Sequence, residues 1–281
     1  NKIRSLTEEQ TQRGIVCASA GNHAQGVALS CNKLGIKGKI FMPVTTPKQK
    51  INQVKMFGGE FVEVVLAGDT FDHANEAAEK ACREEGKTFI PPFNDPKIIE
   101  GQGTVGLEIL QQSRAAIDYV FIPIGGGGLI SGVAIAMKSL RPDIKIYGVQ
   151  SAGAASMFNA FKAKSYQTLD SVSTFADGIA VKTPGENTFN IIEKYVDEII
   201  TVSEDEIAAA ILALIEKQKL IAEGAGATPV AAAIFNKLPI QGKKVVCLVS
   251  GGNIDVNILS RVITRGQVMS GRKTNLMIAL E

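Results

Sequence analysis

A hydroxyl, a carboxamide, an imidazole and a second carboxamide (Ser19, Asn22, His23 and Gln25) stand within seven residues in Cys17-Ala-Ser-Ala-Gly-Asn-His-Ala-Gln-Gly26, directly after the apolar run Gly14 to Ala18. If that run is a strand and a helix follows, the first amides of the helix are unpaired and point into the turn. Ser19, Ala20 and Gly21 then precede an anion site. A second turn, Ile124-Gly-Gly-Gly-Gly-Leu129, sets Gly125, Gly126, Gly127 and Gly128 between a strand and a helix, so the backbone can approach a phosphate with no Cβ in the way. Each glycine costs up to about 1 kcal/mol of folding entropy relative to alanine, and four in succession therefore point to a ligand. A third turn, Val249-Ser-Gly-Gly-Asn253, offers one hydroxyl, Ser250, with Gly251 behind it.

Each feature also has a plainer reading. His23 taken alone reads more readily as a helix-capping or core histidine than as a catalyst, and His73, among acidic neighbours in a helical pattern, reads as surface. Gly126, Gly128 and Gly132 approximate a dinucleotide fingerprint, but that site wants an acid at the end of the next strand, about 20 residues on. The next strand, Lys145 to Val149, ends in Gln150-Ser151. Phosphate binding survives this test and dinucleotide binding does not.

The elements that must hold these turns alternate along the chain. Nearly continuous apolar runs at Gly14 to Ala18, Lys39 to Met42, Phe61 to Val65, Tyr119 to Ile124, Lys145 to Val149 and Lys244 to Val249 predict buried parallel strands. Helical spacing predicts helices over Asn22 to Leu34, Lys48 to Phe57, Phe71 to Glu85, Gly103 to Gln112, Leu129 to Leu140 and Glu204 to Gln218. Alternating strand and helix argue a doubly wound α/β architecture, in which ligands bind beyond the carboxyl ends of the strands. Three prolines within Ile90-Pro-Pro-Phe-Asn-Asp-Pro96 are expected to belong to neither element and to join two lobes.

The chain of 281 residues, 45% hydrophobic, is long enough to bury a large core. Its 30 basic and 28 acidic side chains leave no surplus to collect on nucleic acid or an anionic membrane. No apolar stretch reaches the roughly 20 residues of a bilayer span and no leader opens the sequence, so a cytoplasmic protein is expected. Cys17, Cys31, Cys82 and Cys247 sit singly in apolar segments, which predicts buried thiols rather than disulfides or a metal site.

With the turns in view, the chain resembles the pyridoxal-phosphate enzymes of fold type II, specifically the threonine and serine dehydratases. The resemblance rests on Ser19-Ala-Gly-Asn-His-Ala-Gln-Gly26, Gly125-Gly-Gly-Gly-Leu129, Phe175-Ala-Asp-Gly178, Glu223-Gly-Ala-Gly226 and Ser250-Gly-Gly-Asn253, in the order of that family, with Gln102-Gly-Thr104 favouring its threonine branch. It covers nearly the whole chain. It implies two doubly wound lobes with mostly parallel sheets, like the tryptophan synthase β fold. The small lobe would span 11–92, and a large cofactor-binding lobe would span 1–10 and 93–266. It implies pyridoxal 5'-phosphate as cofactor, a free amino acid as substrate and a homo-oligomer, dimer or tetramer.

The activity implied is removal of water and then ammonia from L-threonine, and more slowly from L-serine, giving 2-oxobutanoate or pyruvate; isoleucine biosynthesis is one setting for it. Gly125, Gly126, Gly127, Gly128 and Leu129 would cradle the cofactor phosphate. Asn22 would donate to the phenolic oxygen of the ring, Ser250 with Gly251 would face the ring nitrogen, and Gly178 and Glu223 would line the ring. Ser19, Ala20, Gly21, Asn22 and His23 would clasp the substrate carboxylate. Glu223 has an alternative reading, a cap for its own glycine turn.

The lysine that forms the Schiff base belongs to a Ser-Phe-Lys-x-Arg-Gly-Ala motif expected before Asn1, so no lysine present is named as the catalytic base, and the chain as written is expected to lack full activity. A serine racemase of this family carries a serine where this chain has Ala20, and a metal-binding carboxylate where it has Gln150, so two-base racemisation and a divalent cation are not expected. The alternatives are a serine dehydratase or racemase of the same fold, and a noncatalytic fragment that binds a phosphate-bearing ligand. The apolar run Leu276 to Leu280 is expected to begin a regulatory domain over 267–281, cut short by the end of the sequence.

Overall fold

The computed structural model describes residues 1–274 and 276, so the expected strand Leu276 to Leu280 lies, Leu276 apart, outside the described residues. The first sheet holds β1 (Ile15–Ala18), β2 (Gly38–Met42), β3 (Val62–Leu66) and β4 (Thr88–Phe89) in the order β3-β2-β1-β4, every pair parallel. Its helices are α1 (Glu8–Arg13), α2 (Asn22–Leu34), α3 (Lys48–Gly58) and α4 (Phe71–Glu85). After α5 (Pro96–Gln112) and β5 (Tyr119–Pro123) come α6 (Gly128–Leu140), β6 (Lys145–Ser151), α7 (Ser156–Ala163), α8 (Glu186–Tyr195), β7 (Glu198–Val202), α9 (Glu204–Gln218), α10 (Gly224–Ile234), β8 (Val245–Cys247) and α11 (Val256–Met269). The second sheet is also all parallel, in the order β7-β6-β5-β8.

Both sheets are wound the same way. Three successive strands step outward from β1 or β5, and the fourth returns to pair on the other side of the first. This creates a topological switch point between β1 and β4, and another between β5 and β8, and parallel sheets bind ligands in the crevice there. All four residues of β1 and four of the five in β5 are buried, as runs covered on both faces must be. One apolar cluster, including Ile15, Cys17, Ile40 and Met42, packs a face of the first sheet, and Ile3 belongs to it. Two more clusters, around Phe121 and Ile122, cover the faces of the second. Asn1 meanwhile donates to the Lys97 carbonyl, and Lys2 pairs with Asp95.

The proline-rich joint needs a correction. Pro96 is the first residue of α5, with Asp95 as its N-cap accepting from the Lys97 and Ile98 amides, so the helix starts seven residues before the expected Gly103. Proline suits this position because its missing N–H would be unpaired there anyway. Strands β4 and β7 were not foreseen, nor were α1, α7, α8, α10 and α11. In α10, Pro229 cannot donate to Ala225, and the Thr228 hydroxyl takes that carbonyl at 2.9 Å instead. Cys17 and Cys31 are buried, whereas Cys82 and Cys247 are only partly so; all four are free thiols. Among the described residues no helix is long and apolar enough to cross a membrane.

Candidate active site

The glycine turn lies at the second switch point, leaving β5 and entering α6. Gly127 is the N-cap with φ +93° and ψ 0°, a left-handed conformation that favours glycine, and no side chain caps the helix. The first amides of α6 are therefore free of side-chain acceptors. The glycines also have a reason internal to the protein. A Cβ on Gly126 would lie 2.4 Å from three ring carbons of Phe93, and one on Gly128 would lie 2.9 Å from the Phe93 Cβ. At Gly125 it would approach the Ile179 Cα to 3.1 Å, and at Gly127 the Thr188 Cβ to 2.9 Å. Each missing Cβ of the turn is thus accounted for by protein packed against it. Gly132, the third member of the apparent dinucleotide fingerprint, serves helix packing: its Cβ would meet the Ile99 carbonyl oxygen at 2.2 Å.

Glu223 is where the other motifs meet. It occupies the N-cap position of α10, yet its side chain makes no cap hydrogen bond. Its Oε1 instead accepts from Asn22 Nδ2 at 2.7 Å, across 201 residues of sequence and from the helix that opens beyond β1. The Glu223 amide donates to the Gly251 carbonyl at 3.0 Å. Gly251 has no room for a side chain, since a Cβ would fall 2.4 Å from Glu223 Oε1. Gly178 stands on the same carboxylate, 3.5 Å from where its own Cβ would be, and its carbonyl is 3.4 Å from a Cβ on Gly125. Glycine loop, Gly178, Glu223, Gly251 and Asn22 therefore form one contiguous surface, drawn from both sheets.

Glu223 is only 3% exposed. Burial pushes its carboxyl above the ordinary range; the charge of Asp177 adds to this, while the Asn22 hydrogen bond and the cation of Lys50 oppose it. Lys50, from α3, is buried and pairs with Asp177 of the Phe175-Ala-Asp-Gly178 motif, so an ion pair crosses between the two sheets' elements beside the same carboxylate. Glu204, in the first turn of α9, holds that motif from behind, accepting from Ser151 Oγ at 2.6 Å and from the Phe175 amide at 2.9 Å.

At the first switch point, His23 Nε2 lies 3.0 Å from the Ile90 carbonyl, joining the turn after β1 to the segment after β4. A carbonyl only accepts, so Nε2 carries the proton. Burial holds the His23 imidazole below its ordinary range, against the raising effect of that hydrogen bond, and it is neutral at pH 7. Ser19 Oγ accepts from the Gly21 amide at 3.1 Å and closes its own turn. Ala20 and Gly21 are half-buried, Gly21 is the side-chain-free N-cap of α2, and Ser250 is exposed. Gln150 is buried and internally satisfied, donating to the Ile124 carbonyl at 3.3 Å and accepting from the Phe158 amide at 2.7 Å.

Sequence reasoning passed over Lys50, Phe93, Asp177, Thr188 and Glu204. Asp177 lay inside a recognised motif and Phe93 inside the proline joint. Lys50, Thr188 and Glu204 carried no local signal, since their partners are 127, 62 and 53 residues away.

These residues fit pyridoxal phosphate. Helix α6 presents an N-terminus that no side chain caps, the donor set for a phosphate dianion. Asn22 has a second N–H beyond the one given to Glu223, and the Ser250 hydroxyl is exposed one residue before Gly251. In the same turn, Asn253 Oδ1 is buried without a hydrogen-bond partner.

The chain matches, over residues 1–251, the family described as pyridoxal-phosphate dependent enzymes, and it belongs to that family. It is 50% identical to an L-threonine ammonia-lyase of Thermotoga maritima, over 97% of this chain and 67% of that protein. It is 48% identical to the L-threonine dehydratase biosynthetic IlvA of Bacillus subtilis, over 96% of this chain and 64% of that protein. The chain thus spans about two thirds of the length of these relatives. The processed form of threonine deaminase isoform 2 from Solanum lycopersicum shares its fold with a TM-score of 0.89 at 42% identity, over 95% of this chain and 73% of that one.

Proposed function

We propose that the protein removes water and then ammonia from L-threonine, and more slowly from L-serine, to give 2-oxobutanoate or pyruvate. The observation that carries this reading is the single surface formed by Asn22, Gly178, Glu223, Gly251 and the glycine loop. The names of the relatives supply the substrate. When bound, pyridoxal phosphate supplies an electron sink for negative charge at the substrate α-carbon.

In this proposal the amides of Gly125 to Leu129 hold the phosphate and the free N–H of Asn22 holds the phenolic oxygen. Ser250 would face the ring nitrogen; a hydroxyl cannot keep that nitrogen protonated as a carboxylate would, so the group would supply a weaker electron sink here. Ser19 to His23 bind the substrate carboxylate at the start of α2, with His23 neutral. Ala20 would offer no side-chain proton to the substrate, which favours dehydration over racemisation. Lys50 is committed to Asp177, and no lysine of the described residues is given the proton transfer.

The proposal extends to lobes over 11–92 and over 1–10 with 93–266, and to a cytoplasmic dimer or tetramer. Support for the lobes comes from the first sheet's strands lying within residues 15–89 and the second's within 119–247. The test is incubation of the full-length protein with L-threonine. Equal amounts of 2-oxobutanoate and ammonia are expected, with a strong loss in Asn22→Ala. D-amino acid without oxo acid would instead mark a racemase, and retained cofactor without either product would mark a noncatalytic phosphate-ligand binder.

A further inference from the structure

Turning amide hydrogens toward a phosphate requires the carbonyls of the same turn to point elsewhere, because a carbonyl oxygen aimed at a dianion is repelled by it. At the start of α6 both relevant carbonyls are occupied. The Gly127 carbonyl accepts from the Ser131 amide at 3.0 Å within the helix. The Gly126 carbonyl lies outside α6, whose own amides do not bond to it. It accepts from Thr188 Oγ1 at 2.6 Å and from the Gly185 amide at 3.3 Å, both at the start of α8.

Thr188 is fully buried and its hydroxyl has one proton. Its second acceptor, the Gly185 carbonyl, is farther away at 3.0 Å, so the shorter contact to Gly126 takes the proton. The threonine is itself held in place. Its carbonyl accepts from Ser131 Oγ of α6 at 3.4 Å, and the neighbouring Asn187 amide donates to Asn94 Oδ1 at 3.0 Å. Helix α8 is in this way fastened to the back of the glycine turn.

We propose that Thr188 is a positioning residue for phosphate binding: its hydroxyl fixes the Gly126 carbonyl away from the ligand, and so aims the following amides at it. The inference rests on Gly125 to Leu129 being the phosphate cradle. Without the hydroxyl, a buried carbonyl retains only the longer bond to Gly185, and the Gly126–Gly127 peptide gains freedom to rotate.

The test uses the full-length protein freed of cofactor and compares pyridoxal 5'-phosphate with pyridoxal, which lacks the phosphate. Thr188→Val keeps the side-chain shape and removes the donor. The loss of one net hydrogen bond should weaken binding of the phosphate ester by about fivefold. Pyridoxal affinity should stay unchanged, and Thr188→Ser should restore the native value. Thr188→Ala removes the same hydroxyl without adding a methyl and reads the same ratio where the valine variant fails to fold. Unchanged affinity for the phosphate ester, or equal weakening of both ligands, would overturn the positioning role alone. A native protein that binds both ligands equally would instead overturn the phosphate cradle, and this inference with it.

Discussion

Gly126→Ala tests whether the glycine turn is bare because of what packs behind it. Gly126 is not among the positive-φ residues, so alanine meets no backbone strain there and the whole effect is steric. The new Cβ would sit 2.4 Å from three carbons of the Phe93 ring, against the 3.5–4.0 Å or so at which carbons rest. Retreat of Phe93 is restricted because its backbone lies against Gly128. Overpacking of this kind costs about 1–3 kcal/mol. Replacing glycine recovers about 0.4–1 kcal/mol by stiffening the unfolded chain. The net loss is on the order of 1–2 kcal/mol, or roughly 2–8 °C in melting temperature for a chain of this size.

The decisive measurement is a double-mutant cycle with Phe93→Ala, followed by urea or thermal unfolding. Without the ring opposite, Gly126→Ala should become neutral or slightly stabilising, leaving a coupling of about 1–3 kcal/mol. Equal destabilisation in both backgrounds would refute the reasoning, since the clash would then lie elsewhere.

Glu223 has a raised folded pKa, so its protonated form is favoured in the folded state, and its contribution to stability declines as pH rises from the ordinary glutamate range through the folded value. Glu223→Gln keeps an acceptor for Asn22 and should abolish that decline; an unchanged pH profile of unfolding would contradict the burial argument. Lys50→Met should carry the same window further upward and Asp177→Asn should narrow it, because the cation lowers and the carboxylate raises the Glu223 value; shifts in the opposite sense would separate the pair from Glu223. His23 has a lowered folded pKa, so its contribution is lost as pH falls from the ordinary histidine range through the folded value, and NMR titration of its ring should give a midpoint below that of free imidazole. A midpoint at or above that of free imidazole would mean that the ring is not desolvated.

Much of the framework was legible because it is written locally. Buried parallel strands are continuous apolar runs, and six of the eight among the described residues could be read that way, with β1, β2, β3 and β5 each placed to within one residue. Helices α2, α4 and α9 match their expected limits, since caps such as Thr70 and Ser203 and left-handed C-termini at Gly35 and Gly86 are short-range signals. Strand β4, two residues long, carries too little pattern to detect, and α10 is masked by its glycines and Pro229.

The sequence by itself determined the three strand-to-helix turns and, through the order of five motifs, the family. Only the tertiary structure decided what those turns face. That Glu223 receives Asn22 rather than capping α10, that Phe93 fills the space behind Gly126, and that Thr188 takes the Gly126 carbonyl are contacts between residues far apart along the chain, 201 positions in the first case and 62 in the last. Periodicity and capping act within a few residues along the chain and hold no information about such pairings. These are fixed by the winding of two parallel sheets, which brings the carboxyl ends of β1, β5 and β8 toward one another and leaves each buried polar group to find its partner there.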